Sequence, residues 1–257
     1  MQSSEELGNT FSRAWQLLST NWIMIVPGIV IGIVAAVVVY LLALYGMASV
    51  VGFSSVGMSG VGMASAFMSA VIVGCVVMLA TILVIAYTTG MAGAAWRTGH
   101  ADLNDGAAAF RTDGVQILVA VVLLFLIGIV AVAISVPTLG LALLAFYVFF
   151  LYVLPSVIVG GHQATEAIAE SVRLAAKNFL TTLIIVILLA IALFIGTWIS
   201  NLFNHIPLLG AIIRQLVVET VTVYATLVIV GEYIKLSTPV MTMGGPTPPA
   251  ASPPPSV

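Results

Sequence analysis

Residues 115–160 read VQILVAVVLLFLIGIVAVAISVPTLGLALLAFYVFFLYVLPSVIVG, with no charged side chain from end to end. A bilayer's hydrocarbon core of about 30 Å takes about 20 apolar residues in helical form. This stretch therefore reads as two spans, 115–135 and 138–160, joined by a tight turn at Val136 and Pro137. Backbone groups in lipid must satisfy one another, and segments this long and this uniformly apolar are helices rather than barrel strands.

The same reading extends outward. Residues 14–96 and 178–213 are also uncharged, and they supply further spans at 23–45, 64–90, 179–203 and 208–231. The chain holds seven basic and nine acidic residues in 257, only 6% charged against 61% apolar. A water-soluble domain carries about a quarter of its residues charged, so that class is excluded. The expected fold is an all-α, polytopic bundle of six transmembrane helices over residues 1–235. The first span does not read as a cleaved signal peptide: it is too long and lacks a basic start and an Ala-x-Ala site. The lone Cys75 lies in mid-span as a small apolar side chain.

Orientation follows from the basic residues. Arg13, Arg97, Arg111, Arg173, Lys177 and Lys235 fall on one side of a six-span chain, and only Arg214 is near the other. The positive-inside rule then places both termini in the cytoplasm. Residues 236–257, with Pro239, Pro246, Pro248, Pro249 and Pro253 to Pro255, read as a disordered Pro-rich cytoplasmic tail.

A short amphipathic segment precedes each pair of spans, giving three repeats of interfacial helix plus transmembrane hairpin. In the first, Ser3 and Glu6 suit a capping box, and Leu7, Phe11, Ala14, Trp15 and Leu18 share a face. In the third, Ile168, Val172, Ala175 and Phe179 form an apolar stripe opposite Glu166, Glu170, Arg173 and Lys177. Phe11, Trp15, Leu17, Asn21 and Trp22 parallel Ile168, Val172, Leu174, Asn178 and Phe179, and the two asparagines should cap or turn the chain there. The middle copy shares Gly99-His100 with Gly161-His162 and Phe110-Arg111 with Val172-Arg173.

Phe150, Tyr152 and Pro155, followed by Glu166-Ala-Ile168-Ala-Glu170-Ser171-Val-Arg173-Leu174 and Lys177-Asn178-Phe179-Leu180, form a pattern that resembles the membrane domain of glycerophosphoryl diester phosphodiesterases and related bacterial membrane proteins. The opening Phe11, Trp15, Leu17, Asn21 and Trp22 is similar to that family's first segment. The resemblance covers most of residues 7–235. It implies a six-helix bundle in a prokaryotic cytoplasmic membrane, and no enzymatic activity, because that family's catalytic barrel is a separate domain this chain lacks.

Candidate sites are few. Glu219, with Gln215 and Arg214, forms a candidate intramembrane polar site, since a charge buried in the bilayer costs at least ~2.5–3.5 kcal/mol and faces a bundle or a cavity. Arg214 is close enough to the outer end to snorkel, and Glu219 is too deep to do so. Glu232, beside Tyr233 and Lys235, is expected to be solvated at the inner interface. Arg97, Arg111, Arg173 and Lys177 are candidate contacts for lipid head groups.

Three weaker patterns have simpler readings. His100, His162, Asp102 and Glu166 could converge on a metal, but a repeated Gly-His turn explains them as well. Gly57-Met58-Ser59-Gly60 with His205 matches an intramembrane serine protease only by a short motif. Met58, Met63 and Met68 are spaced onto different helical faces, as packing rather than copper ligands. Gly28 and Gly32 form a small-residue motif for close helix approach, with Pro27 in the first turn. No cofactor motif and no nucleic-acid surface is present. The expected partners are membrane lipids, other membrane proteins or further copies of the chain. The function expected is a non-enzymatic membrane protein organising lipid or partners at the inner leaflet; the alternative is a small-solute or proton-coupled transporter working through Glu219.

Overall fold

A computed structural model describes residues 4–55, 59–203 and 209–237. Among these the chain is all-α: α1 (Ser4–Thr20), a 3-10 turn (Trp22–Ile25), α2 (Val26–Ser55), α3 (Ser59–Thr98), α4 (Leu103–Ser135), α5 (Leu141–Phe150), α6 (Val153–Ile158), α7 (Ala164–Lys177), α8 (Phe179–Leu202) and α9 (Leu209–Ser237). Six segments are long and apolar enough to cross a membrane, with α5 and α6 together making the fourth. The six expected spans are all present. Residues 238–257 of the Pro-rich tail, Ser3, Met58, His205 and the side chain of Ser59 lie outside the described residues, whereas Leu236 and Ser237, expected in that disordered tail, form the end of α9.

The interior is built from two apolar clusters that share α3. One joins Ala14 and Leu17 of α1 to Met91, Ala95 and Trp96 of α3, Ile185 of α8, and Leu227 and Val228 of α9. The other joins Ala86 of α3 to Ile117 and Val121 of α4, Val157 of α6 and Ala167 of α7. Both lie toward the end of the bundle where the charges gather. Beyond them the α2–α3 hairpin is held mainly by itself, with Ser69 Oγ donating to Leu42 O at 2.9 Å where Gly46 leaves room. Its outer turns present Leu41, Tyr45, Phe67 and Met68 outward, the composition expected of a lipid-facing surface. Met63 and Met68 are both exposed there, so neither packs into the interior. At 40 residues and 1.5 Å each, α3 is about 60 Å long, twice the hydrocarbon thickness.

The turns that follow α1 and α7 share a local geometry. Asn21 (φ −116°, ψ 50°) and Asn178 (φ −120°, ψ 39°) have nearly the same backbone conformation. Each donates its Nδ2 to the carbonyl four residues back, on Leu17 at 3.0 Å and Leu174 at 3.2 Å. Gly99 (φ 80°) and Gly161 (φ 71°) both end helices in the left-handed region that favours glycine. The middle copy departs from this pattern. No break separates its amphipathic segment from its span, and α4 runs unbroken from Leu103, capped by Asp102 and Asp105, to Ser135. The position that carries Asn in the other copies holds Gln116, whose Oε1 accepts from Ala164 N at 3.1 Å. Without a side chain turned back on the preceding turn, the helix continues.

Other expectations need correction. The turn after α4 occupies residues 136–140 rather than two residues, with Leu139 (φ 50°) and Gly140 (φ 86°) both left-handed. On α7 the buried face is Ala164, Ala167, Ser171 and Ala175; of the expected apolar stripe Ala175 is buried and Ile168 packs against the core, whereas Val172 and Phe179 are exposed. Small side chains allow close approach, and the fully buried positions of α7 are all small.

The break between α5 and α6 has a specific cause. Pro155 lacks an N–H to offer the Leu151 carbonyl and its ring crowds that carbonyl, so the helix interrupts just before it. Ser171 of α7 fills the gap: its hydroxyl accepts from Tyr152 N at 3.1 Å and donates to Phe149 O at 2.8 Å. Because Ser171 is fully buried, Ser171→Ala is expected to cost about 1–3 kcal/mol by leaving both backbone groups unmet. Chemical unfolding in mixed micelles checks this. Ser171→Thr, which keeps the hydroxyl, should lose less.

Candidate functional site

The charged end is assembled by contacts between helix termini. Lys235 of α9 bonds Glu6 O at 3.0 Å and the hydroxyl of Thr10, while Tyr224 OH donates to Phe11 O. The apolar face of α1 is thereby turned onto the bundle. Asn21 fastens the turn between α3 and α4, donating to Gly99 O at 3.2 Å and accepting from Ala101 N at 2.9 Å. Glu232 is 0% exposed and accepts from Thr10 Oγ1 at 3.5 Å. The expectation of a solvated Glu232 is thus corrected: α1 covers it, which its position beside Lys235 does not reveal.

The most developed polar arrangement lies where α6, α7 and α9 meet. The end of α6 closes with Gly161 N bonding Val157 O and His162 N bonding Ser156 O, both at 3.2 Å, a paired cap that requires Gly161's left-handed backbone. The cap turns His162 back toward α7, where its Nδ1 stands 3.1 Å from Glu170 Oε2. The same oxygen accepts the Ser156 hydroxyl, and the Tyr233 hydroxyl at 3.4 Å. Gly160 leaves space for this convergence, since a Cβ there would meet Tyr233 OH and lie 2.6 Å from Ser156 O. Ser156 is fully buried and its proton goes to a carboxylate, so it is a structural donor, not an exposed nucleophile.

Glu170 opens onto a cavity of about 410 Å³ between α7 and the last turn of α9. Its walls include Glu166, Arg173 and Lys177, so the four-residue charged stripe read on α7 lines a cavity as a unit. Leu174 and Leu236 supply its apolar wall. Neither Arg173 nor Lys177 forms an ion pair among the described residues.

The other candidate head-group contacts are placed apart. Arg97 donates to Val159 O at 2.7 Å and borders a separate cavity of about 250 Å³ with Asp105 and Asp113. Arg111 is exposed on α4 and borders neither cavity. Of the four residues His100, His162, Asp102 and Glu166, His162 turns its Nδ1 to Glu170 and Asp102 caps α4, while the backbone of His100 exchanges bonds with the Thr98 hydroxyl. Among the described residues no group of three or more His, Cys, Asp or Glu is gathered to hold a metal ion.

The intramembrane candidates sit against span 1. Glu219 is 8% exposed and accepts from Gln215 Nε2 at 2.9 Å. Both side chains lie in the groove left by Gly28 and Gly32: a Cβ on Gly28 would collide with Glu219 Oε2, and one on Gly32 with Gln215 Nε2. The small-residue motif and the buried acid, read separately in sequence, are two halves of one contact. An adjoining cavity of about 510 Å³ is bounded by Gln215, Tyr40 and aliphatic side chains, and the Glu219 carboxyl is not in its wall. Arg214 is exposed and takes no part in the pair.

Sequence reading missed Ser156, the His162–Glu170 pair and the role of Tyr233. The Gly161-His162 turn was the available signal, since it fixes where His162 points once α6 and α7 are adjacent.

Six apolar helices with nearly all charge gathered at one end define a multi-pass helical membrane protein. Compared with known protein families, with curated proteins and with solved structures, the chain matches none of them.

Proposed function

We propose that this is a non-enzymatic protein of a prokaryotic cytoplasmic membrane, with both termini in the cytoplasm, whose charged end handles lipid head groups at the inner leaflet. The observation that carries this reading is the α7 cavity. A charged stripe of Glu166, Glu170, Arg173 and Lys177 faces a bounded space beside exposed Val172 and Phe179, which a surrounding leaflet would cover. Positive charge near anionic head groups is favourable by about 1 kcal/mol per residue, and interfacial Trp15 and Trp22, both exposed, suit the same depth. A proton-coupled carrier working through Glu219 draws no support from a carboxyl packed against Gly28 and bonded to Gln215.

The test is photocrosslinking of the full chain in vesicles, with a photoreactive residue at Val172 or at Trp15. Phospholipid adducts at both positions are expected. Absence of lipid adducts from both overturns the reading.

A further inference from the structure

Resting on the reading of the charged end as a lipid-handling surface, we propose that the α7 cavity selects a head group carrying a primary ammonium and a phosphate together, of the phosphoethanolamine type. The charges on its wall are sorted rather than mixed. Glu166 and Glu170 occupy the N-terminal half of the stripe, and Arg173 and Lys177 the C-terminal half. Spacings of four, three and four residues put all four on one face, and Glu170 to Arg173 is about one helical turn, ~5 Å along the axis. An ammonium and a phosphate joined by two carbons span a comparable length.

Each half is prepared for its partner. Glu170 is held in place through Oε2 by Ser156, His162 and Tyr233, and its other oxygen takes no hydrogen bond among the described residues. A fixed carboxylate with a spare acceptor favours a cation that can donate N–H bonds. Arg173 and Lys177, without ion-pair partners among the described residues, match a phosphate, the guanidinium by a two-bond fork and the lysine as a point charge.

The arrangement also disfavours the other common head groups. A quaternary ammonium has no N–H to give Glu170 and is recognised by the faces of Trp, Tyr or Phe, none of which lines this cavity; its one ring is the His162 imidazole, already turned to Glu170. A purely anionic head group would meet the two carboxylates at one end. Leu174 and Leu236 provide the apolar edge that a glycerol backbone would lie against.

The experiment measures retention of phospholipids with identical acyl chains by the delipidated full-length protein in detergent, by native mass spectrometry. Phosphatidylethanolamine is expected to bind about tenfold tighter than phosphatidylcholine or phosphatidylglycerol. Glu170→Gln should remove the preference over phosphatidylcholine. Arg173→Glu, a reversal at an exposed position that leaves the buried contacts of α7 alone, should also abolish selective retention and guards against misfolding of the first variant. Equal retention of all three lipids overturns the head-group assignment while leaving lipid handling intact, and retention of none overturns both. Displacement of phosphatidylethanolamine by an equal concentration of glycerophosphoethanolamine supports the site and assigns it to the free diester. Displacement only by lipid supports the site and assigns it to the membrane.

Discussion

Gly231→Ala is expected to destabilise the bundle by about 3 kcal/mol, the upper end of the usual cost of overpacking. A methyl group at this position meets the flat face of Trp96, with its Cβ only 2.5 Å from the ring's Cε2. The ring has nowhere to go. Its Nε1 donates to Leu227 O at 2.8 Å, and Arg13 lies over the ring, 4.7 Å from the centroid, while also donating to the Trp96 carbonyl. A rigid bicyclic side chain, bonded at Nε1 and covered by a guanidinium, cannot swing aside as a flexible chain can. Thermal and chemical unfolding in detergent should show the loss. Trp96→Leu should cost a similar amount by itself through the lost bond and the space left behind. Adding Gly231→Ala to Trp96→Leu should then cost under about 1 kcal/mol, because the collision is gone. A neutral Gly231→Ala in the natural background would show that the two helices are not in this register.

Gly28→Leu should be more damaging than any change to the polar residues it faces. The side chain would enter the space of the Glu219 carboxyl and push α2 off α9, and loss of a monodisperse folded protein is expected. Gly28→Ala is the milder probe. Here the carboxyl can move, but only by giving up the bond from Gln215, at a cost of about 1–2 kcal/mol. Glu219→Ala alone should cost about 0.6 kcal/mol, the average for polar contacts between membrane helices, and at most about 1.7 kcal/mol. The two alanine changes together should cost less than their sum, since removal of the carboxyl makes room for the methyl. Strict additivity, read from unfolding in mixed micelles, would mean that Gly28 and Glu219 do not touch. The comparison also separates packing from chemistry, because a residue retained for proton transfer need not couple to a glycine.

These two contacts show where sequence reading stops. Gly28 and Gly32 announce a close approach by some helix, and Glu219 announces a buried partner, but nothing local to either says that they meet. The same holds for Glu170. Its stripe is legible at helical spacing, yet the Ser156, His162 and Tyr233 side chains that orient it come from α6, the turn after it and α9. Glu232 misleads for the same reason. Its neighbours in the chain suggest an interfacial, hydrated acid, whereas in space it is fully buried and accepts from Thr10 of α1. The unbroken α4 is a different kind of miss. Amphipathic and fully apolar segments are both helical, so a boundary between them exists only where a side chain such as Asn21 or Asn178 turns back on the preceding turn.

By itself the sequence determined the class of protein, the number and order of its spans and the gathering of charge at one end. Those properties follow from transfer of side chains and backbone between water and hydrocarbon, and that free energy depends on composition over a window and not on which helix lies beside which. It also determined the turns at Asn21, Asn178, Gly99 and Gly161, where a residue's own side chain or permitted φ suffices. Only the tertiary structure decided which small residues became interfaces, which acid was covered, and that the charges of α7 line a cavity. Contacts between helices in lipid depend on close packing of specific surfaces, because apolar surface gains little by leaving an apolar solvent. Pairings such as Gly28 with Glu219 and Gly231 with Trp96 are therefore selected by shape across distant parts of the chain.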